Sequence, residues 1–387
     1  MTQIFQKKYL KFAIVAILYI LIVIWIGNYW LLLGLPIIFD LYISRKVNWA
    51  FWKKRDEKNS TFIEWVDALI FAVIAVSLIN IFLFQNYRIP TPSMEKSLLV
   101  GDHLFVSKLA YGPRTPNTPI AFPFTQHTIP IIKTKSWSNL ILRPYKRLIG
   151  FGKVKNNDPI VFNFPAGDTV VVENQATAYY EIVRSTAREL QARSSFGSQN
   201  LKPVEYYMLQ ARKEIWDRYE VIYRPVDRRD NYVKRCIGLP GDTIFIKSGA
   251  LYVNGKLVPE NEGQQTTYLI VTNGTTINPK AFERLGIYKS DVGMASGAVY
   301  ELPLTRKNAE TISKFSNVTD VSAVYEQPGK FIPWIFPYKP ELAWNEDNFG
   351  PLWIPVKGTT VAIDTWNICL YERIIDVFEA NDLRIEG

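Results

Sequence analysis

Two cysteines and two histidines among 387 residues leave this chain poor in the usual tools of metal and redox chemistry. A zinc site needs more His and Cys than are present, so no metal and no other cofactor is expected. Cys236 and Cys369 allow one disulfide at most, and two free thiols are the expected state. His103 and His127 are the only bases available to a Ser-His-Asp triad. His103 follows a Gly-Asp turn and His127 lies in a proline-rich stretch, and neither neighbourhood points to that chemistry. No internal repeat of fixed period occurs.

Long apolar runs, by contrast, are present. Hydrophobic residues make up 48% of the chain, yet mean hydropathy is only −0.02, which suggests a membrane part joined to a polar part. Phe12–Ile26 is a charge-free run near the ~17-residue lower limit for a spanning helix. Tyr29–Ile43 contains Pro36 and Asp40 and is expected as a second span, with a re-entrant or interfacial piece as the alternative. Asp40 there reads as a snorkelled helix end. Ala68–Phe84 is the clearest span, and its Ser77 and Asn80 offer polar contacts to a neighbouring helix. The first run is too long for a cleavable leader and lacks a small-residue cleavage site before Tyr29-Trp30.

Charge sets the expected topology. Lys7, Lys8 and Lys11 precede the first run; Arg45, Lys46, Lys53, Lys54, Arg55 and Lys58 separate the second from the third. The positive-inside rule then places the amino terminus and the 44–62 loop in the cytoplasm, and residues from about 86 onward outside it. Through residue 60 there are nine Lys/Arg and three Asp/Glu, a net of +6 out of the total +9, so topology explains most of the basic balance and no nucleic-acid partner is required.

The remainder reads mainly as β. Strands are expected at His103–Ser107, Ile160–Phe164, Thr169–Glu173, Tyr232–Ile237, Thr243–Lys247 and Leu251–Val253, with an Asn254-Gly255 hairpin turn before Lys256. Ala176–Arg193 and Val204–Tyr219 read as helices inserted into that β domain, a solvated helical hairpin. Gly112–Pro130, with five prolines, is expected as an ordered extended loop. Beyond Glu260 a polar segment is expected to lead to Gly293–Leu304. The aromatic-rich stretch Pro333–Pro355 fits either a core contact or a bilayer interface.

Two stretches carry chemistry. Arg88–Lys108 (RIPTPSMEKSLLVGDHLFVSK) follows the last apolar run. Pro90 and Pro92 flank Thr91, and they are expected to hold Ser93 on a rigid extended segment, outside any helix. Tyr232–Asp242 (YVKRCIGLPGD) sets Lys234 between apolar residues on a strand expected to be buried. A serine hydroxyl needs a base to become a nucleophile. Free lysine, with a pKa of about 10.4, is a poor one. Full burial lowers it by as much as ~3–5 units, which makes a desolvated Lys234 a usable base.

Together these stretches resemble type I signal peptidase, the membrane-bound bacterial Ser-Lys protease family. The resemblance rests on Pro92-Ser93-Met94 with Gly101-Asp102, on Asp158-Pro159-Ile160-Val161-Phe162, and on Lys234-Arg235 followed by Gly238-Leu239-Pro240-Gly241-Asp242. It implies Ser93 as nucleophile, Lys234 as general base, and Thr91 Oγ with the Ser93 N–H as oxyanion hole. It implies signal peptides of exported preproteins as substrates, the lipid bilayer as partner, and the outer face of the bacterial cytoplasmic membrane as location. Arg235 and Asp242 read as structural.

The expected architecture is therefore a membrane-anchored, mainly β protein: 1–85 a membrane region with two or three transmembrane helices, 86–172 the first part of a catalytic β domain, 173–226 the helical insertion, 227–260 the part carrying the base, and 261–387 an additional external region. One departure stands out. The family's later Gly-Asp-Asn and Ser-x-Asp-Ser-Arg strings do not occur here, and the chain reads as truncated before them. On that reading Lys234 loses its orienting hydroxyl, cleavage is expected to be poor, and Ser97 or Ser107 is the substitute to consider. The Asn348–Pro355 run reads as a loop. A catalytically silent scaffold of the same fold is the alternative; a repressor-type autoprotease would carry a DNA-binding domain in place of spans.

Overall fold

The computed structural model describes residues 2–52, 59–195, 202–296, 298–379 and 381–384. Two compact units emerge: Met1–Arg88, Asp102–Val154 and Val161–Val233 form the first; Ile89–Gly101, Lys155–Ile160 and Lys234–Gly387 form the second.

In the first unit α1 (Thr2–Ile26) ends at Gly27, whose left-handed φ of +65° suits a residue without Cβ. The Tyr29–Ile43 run is not one long helix. It breaks into a 3-10 turn (Tyr29–Gly34), α2 (Leu35–Phe39) and a π turn (Asp40–Ser44). Gly34 and Pro36 interrupt the pattern. This segment runs back along α1. Tyr19 Oη donates to Leu31 O, the rings of Phe12 and Phe39 meet edge-on at 5.6 Å, and Lys8 Nζ donates to Ile43 O. Asp40 is buried rather than snorkelled: Ser44 Oγ (2.6 Å), the N–H of Lys46 (2.9 Å) and Val47 (3.2 Å), and Trp49 Nε1 (2.9 Å) all donate to its carboxylate. Lys53, Lys54, Arg55 and Lys58 lie outside the described residues.

α3 (Thr61–Phe82) is capped by Ser60. Lys7–Ile26 and Thr61–Phe82 are long and apolar enough to cross a membrane, and almost nothing of either is buried (6% and 0%), unlike the core helix of a soluble fold. α3 leads into β1 (Phe84–Arg88), antiparallel to β2 (His103–Ser107), with Phe84 opposite Ser107 and Arg88 opposite His103. Next comes a long irregular hairpin in which residues 109–128 face 134–152 through Phe151 N to Leu109 O, Arg143 N to Asn117 O and Ser138 N to Ile120 O. The proline-rich stretch is thus ordered, and it is paired.

β3 (Pro159–Asn163), β4 (Thr169–Val171), α4 (Tyr179–Ser195), α5 (Val204–Arg218), β5 (Val221–Tyr223) and β6 (Asn231–Arg235) follow; β3 pairs with β6 and β4 with β5. The helical hairpin has its own core. Tyr179, Val183 and Ala187 of α4, at helical spacing, meet Tyr207, Ala211 and Ile215 of α5.

In the second unit, β7 (Thr243–Lys247), β8 (Ala250–Val253) and β9 (Lys256–Leu257) form a meander. Asn254 (φ +52°) and Gly255 (φ +76°) turn it in the conformation that Asn-Gly favours. The expected polar segment beyond Glu260 is instead a folded layer. β10 (Gln265–Thr272), α6 (Pro279–Arg284), β11 (Gly293–Ser296), β12 (Val299–Thr305), α7 (Arg306–Ile312) and β13 (Val318–Ala323) build a sheet of order β11-β12-β10-β13. Ile270, Tyr300, Leu302, Leu304 and Ile312 are its buried core. Nor is Asn348–Pro355 a loop throughout: β14 (Phe349–Trp353) pairs with β7 as an edge strand. A register shift between Phe349 and Leu352 accommodates Gly350-Pro351, which a central strand would not tolerate. The helix α8 (Ile368–Arg373) follows and runs on into a π turn (Ile374–Phe378).

Candidate active site

The residues singled out for chemistry all fall in the second unit. Ser93 sits on the loop Ile89–Gly101 between β1 and β2. The Gly101 N–H closes its neck on Ile89 O at 2.9 Å, with Gly101 at φ +96°. Ile89 and Met94 are buried and pin the loop. Thr91 is extended (φ −134°, ψ 152°), but Ser93 is not: Pro92–Met94 is a 3-10 turn closed by Glu95 N donating to Pro92 O at 2.8 Å. Proline fits the first position of such a turn, where an N–H would lack a partner anyway. The Ser93 N–H, next in the turn, has no partner among the described residues. Both Thr91 and Ser93 are exposed.

Lys96 reverses the loop with a left-handed φ of +64°. For a side chain with a Cβ this conformation costs about 1 kcal/mol. An anchor offsets it: Lys96 Nζ donates to Gly286 O at 2.6 Å and lies 5.3 Å from the centre of the Tyr288 ring.

Lys234 lies on β6 and is exposed, not buried as expected. Exposure alternates along β6, so Lys234 shares the more open face of the strand with Tyr232. Its neighbours still desolvate the amine enough to lower its pKa below the ordinary lysine value. Among the described residues no hydrogen bond joins Ser93 Oγ to Lys234 Nζ.

The two segments meet one residue further on. Arg235 Nη2 donates to Ser97 Oγ at 2.8 Å and Nη1 to Asn157 O at 3.1 Å. Asn157 N to Cys236 O (2.6 Å) and Cys236 N to Asp158 O (2.9 Å) continue the ladder beyond β6. Asp242 organises the turn that follows. It accepts from Leu239 N (2.8 Å), Asn156 Nδ2 (3.1 Å) and Asn254 Nδ2 (2.8 Å), and these bonds, the Leu239 N–H first, hold its carboxyl below the usual range. Both substitute hydroxyls have other partners: Ser97 Oγ accepts from Arg235, and Ser107 Oγ accepts from Ala110 N at 3.2 Å. Cys236 and Cys369 are both free.

The histidines lie elsewhere, in the first unit. His127 Nδ1 is 2.8 Å from Thr128 Oγ1, and its Nε2 is 3.3 Å from Asp230, beside the buried Arg224. This is an ion network without a serine. His103 is exposed on β2. A cleft of about 340 Å³ between α4 and α5 is lined by the paired Glu214 and Arg218 and holds no nucleophile–base pair.

Comparison with known proteins assigns the framework. Residues 62–310, from α3 into α7, match the family described as signal peptidase, peptidase S26. The chain belongs to this family. It is 23% identical over 204 residues to Signal peptidase I of Pseudomonas aeruginosa, covering 52% of this chain and 42% of that one. With Signal peptidase I of Bacillus licheniformis it shares 24% over 208 residues, 54% of this chain and 58% of the relative. Over 30 residues it is 63% identical to Signal peptidase I S of Bacillus subtilis, 8% of this chain and 16% of that one. The chain spans about half the length of the first two relatives. No solved structure matches it.

Proposed function

We propose that this protein is a serine endopeptidase that removes signal peptides from exported preproteins at the outer face of the bacterial cytoplasmic membrane. The observation that carries the reading is the Arg235–Ser97 bond, which ties the strand of Lys234 to the loop of Ser93 within one compact unit of a signal peptidase family chain. Ser93 Oγ attacks the scissile carbonyl while neutral Lys234 takes its proton, and an acyl-enzyme forms. The Ser93 N–H and Thr91 Oγ receive the oxyanion, each donor worth roughly 3–4 kcal/mol. The amine product leaves with the proton from Lys234, and water, deprotonated by the same amine, releases the acyl group. Catalytic contacts commonly tighten only when substrate binds, so the unbonded pair in the free protein is compatible with this chemistry. The substrate lies extended beside the Ser93 loop by strand addition.

In this reading residues 86–172 and 227–260 supply the catalytic β domain, 173–226 is an insertion, and 261–387 is an external addition. The membrane region 1–85 is multi-pass. Lys8 beside Ile43 brings Arg45 and Lys46 to the level of Lys7 and Lys11, which supports a cytoplasmic location for all of them. No nucleic-acid partner is invoked.

Processing of a preprotein by the reconstituted chain tests the assignment. Ser93→Ala and Lys234→Ala are each expected to abolish cleavage, the double variant to be little worse than either, and His103→Ala to retain it. Loss of cleavage in His103→Ala would overturn the Ser-Lys dyad. A chain that inserts in membranes yet never cleaves would be the silent scaffold.

A further inference from the structure

Residues 139–152, the return arm of the long hairpin, are apolar on the outside. Only Leu148 among them is buried; Leu140, Ile149 and Phe151 are 86, 83 and 89% exposed, and Leu142 and Tyr145 are exposed as well. The backbone is nonetheless pinned, with the N–H groups of Arg143, Leu148 and Phe151 donating to the carbonyls of Asn117, Pro113 and Leu109. Side chains on so fixed a backbone cannot collapse inward, and contiguous exposed apolar surface marks a contact site.

The same arm meets the carboxyl end of α1. Lys146 Nζ donates to Ile26 O at 2.8 Å, and Trp25 Nε1 donates to Ile149 O at 3.1 Å. The exposed apolar side chains therefore stand at the level where α1 ends. Arg143, Lys146 and Arg147 alternate with them and are exposed too. Apolar tips interleaved with cations are what a phospholipid headgroup boundary accommodates: the tips enter the acyl region while the cations meet phosphates.

We propose that residues 140–151 form a second membrane-contact surface, an interfacial anchor seated in the leaflet at the carboxyl end of α1, with phospholipid as its ligand. This rests on the reading that Lys7–Ile26 spans the bilayer.

The test uses the full chain with Cys236 and Cys369 replaced by serine, reconstituted in phosphatidylethanolamine–phosphatidylglycerol vesicles. An environment-sensitive fluorophore is attached in turn at Leu140→Cys, Ile149→Cys, Phe151→Cys, Leu18→Cys within α1, and Leu209→Cys on the exposed face of α5. Blue-shifted emission at 140, 149 and 151, quenched by lipids with a nitroxide high on the acyl chain more than by a deep nitroxide, is the expected result. Position 18 should be quenched best by the deep nitroxide and position 209 by neither. Emission at 140, 149 and 151 that is as unquenched as at 209, while 18 is quenched, would overturn the anchor. Blue-shifted but unquenched labels would mean a protein partner and overturn it equally. An unquenched position 18 would instead remove the span, and the anchor with it.

Discussion

Lys234 can act as a base only as a free amine, so its titration sets when the proposed dyad works. Desolvation holds its pKa below the ordinary lysine value of about 10.4. The active, neutral form therefore grows as pH rises through the folded-state value. The rate of preprotein processing should climb with pH along a limb lying below that of free lysine, and Lys234→Ala should have no such limb to follow. Arg235 touches neither reacting atom but holds the neighbouring segment through Ser97 and Asn157. Arg235→Ala is expected to lower kcat about 10–100-fold with little change in KM, as for misplacement of a catalytic group. Ser97→Ala should cost less, because the bond to Asn157 O survives. Steady-state kinetics on a soluble signal-peptide substrate would separate the two parameters, and a wild-type kcat in Arg235→Ala would reduce the tie to a purely structural one. The placement of these residues was only partly legible in the sequence. The Ser-Met and Lys-Arg motifs stand in the chain order, whereas the left-handed Lys96 and the partner of Arg235 left no local signal.

At the scale of elements, the β1–β2 hairpin encloses a second lysine. Lys108 packs beside Tyr87, its Nζ 3.4 Å from the phenol oxygen. Burial, then the charges of Arg114 and Arg147, push its pKa down to about 8, and burial pushes Tyr87 up to about 12. Between pH 8 and about 10.4 the unfolded chain holds a proton on this lysine that the folded chain has lost, so stability rises with pH in that window. Below pH 8 the full penalty applies, at most about 3 kcal/mol. Lys108→Met should raise the melting temperature in detergent at pH 7 and have little effect above pH 10; destabilisation at pH 7 would show that the contact with Tyr87 outweighs desolvation. In the proposed topology the broken segment after α1 returns the chain to the cytoplasmic side. A cysteine at Asn48 should resist an impermeant reagent applied to intact cells, while one at Lys153 should react. Labelling at Asn48 would place the amino-terminal loops outside. Apolar composition marked these segments in the sequence, but it did not show that Tyr29–Ile43 is broken into short turns, because Gly34 and Pro36 break a helix without changing its hydropathy.

For the whole molecule, the layer β10–β13 with α6 and α7 is the largest element that sequence reading passed over. Its alternation is plain in Val299–Thr305, where Tyr300, Leu302 and Leu304 are buried between Glu301, Pro303 and Thr305. In Gln265–Thr272 the signal is diluted by Thr and Gln on the same strand. Leu302→Ala should cost about 2–5 kcal/mol by opening a cavity among Ile270, Leu304 and Ile312, measured by denaturant unfolding in micelles. The layer reaches the Ser93 loop through Lys96 and the Gly286 carbonyl. Lys96→Ala is therefore expected to speed proteolysis within residues 95–99, and an unchanged cleavage pattern would show that Ile89 and Met94 hold the loop alone.

What depends on near neighbours can be read from residue order: apolar runs long enough for a bilayer, the Asn-Gly hairpin, the α4–α5 hairpin with its helical spacing, and the motifs around Ser93 and Lys234. Each follows from periodicity, backbone preference or residue order within a few turns of chain. The remaining contacts depend on the folded chain. Arg235 finds Ser97 across 138 residues and Lys96 finds Gly286 across 190. Lys234 is exposed although apolar residues flank it in the chain, and the short segment after α1 runs back along it with Tyr19 and Lys8 donating to its carbonyls. Which distant groups become neighbours is set by packing of the whole chain, and no local pattern encodes it.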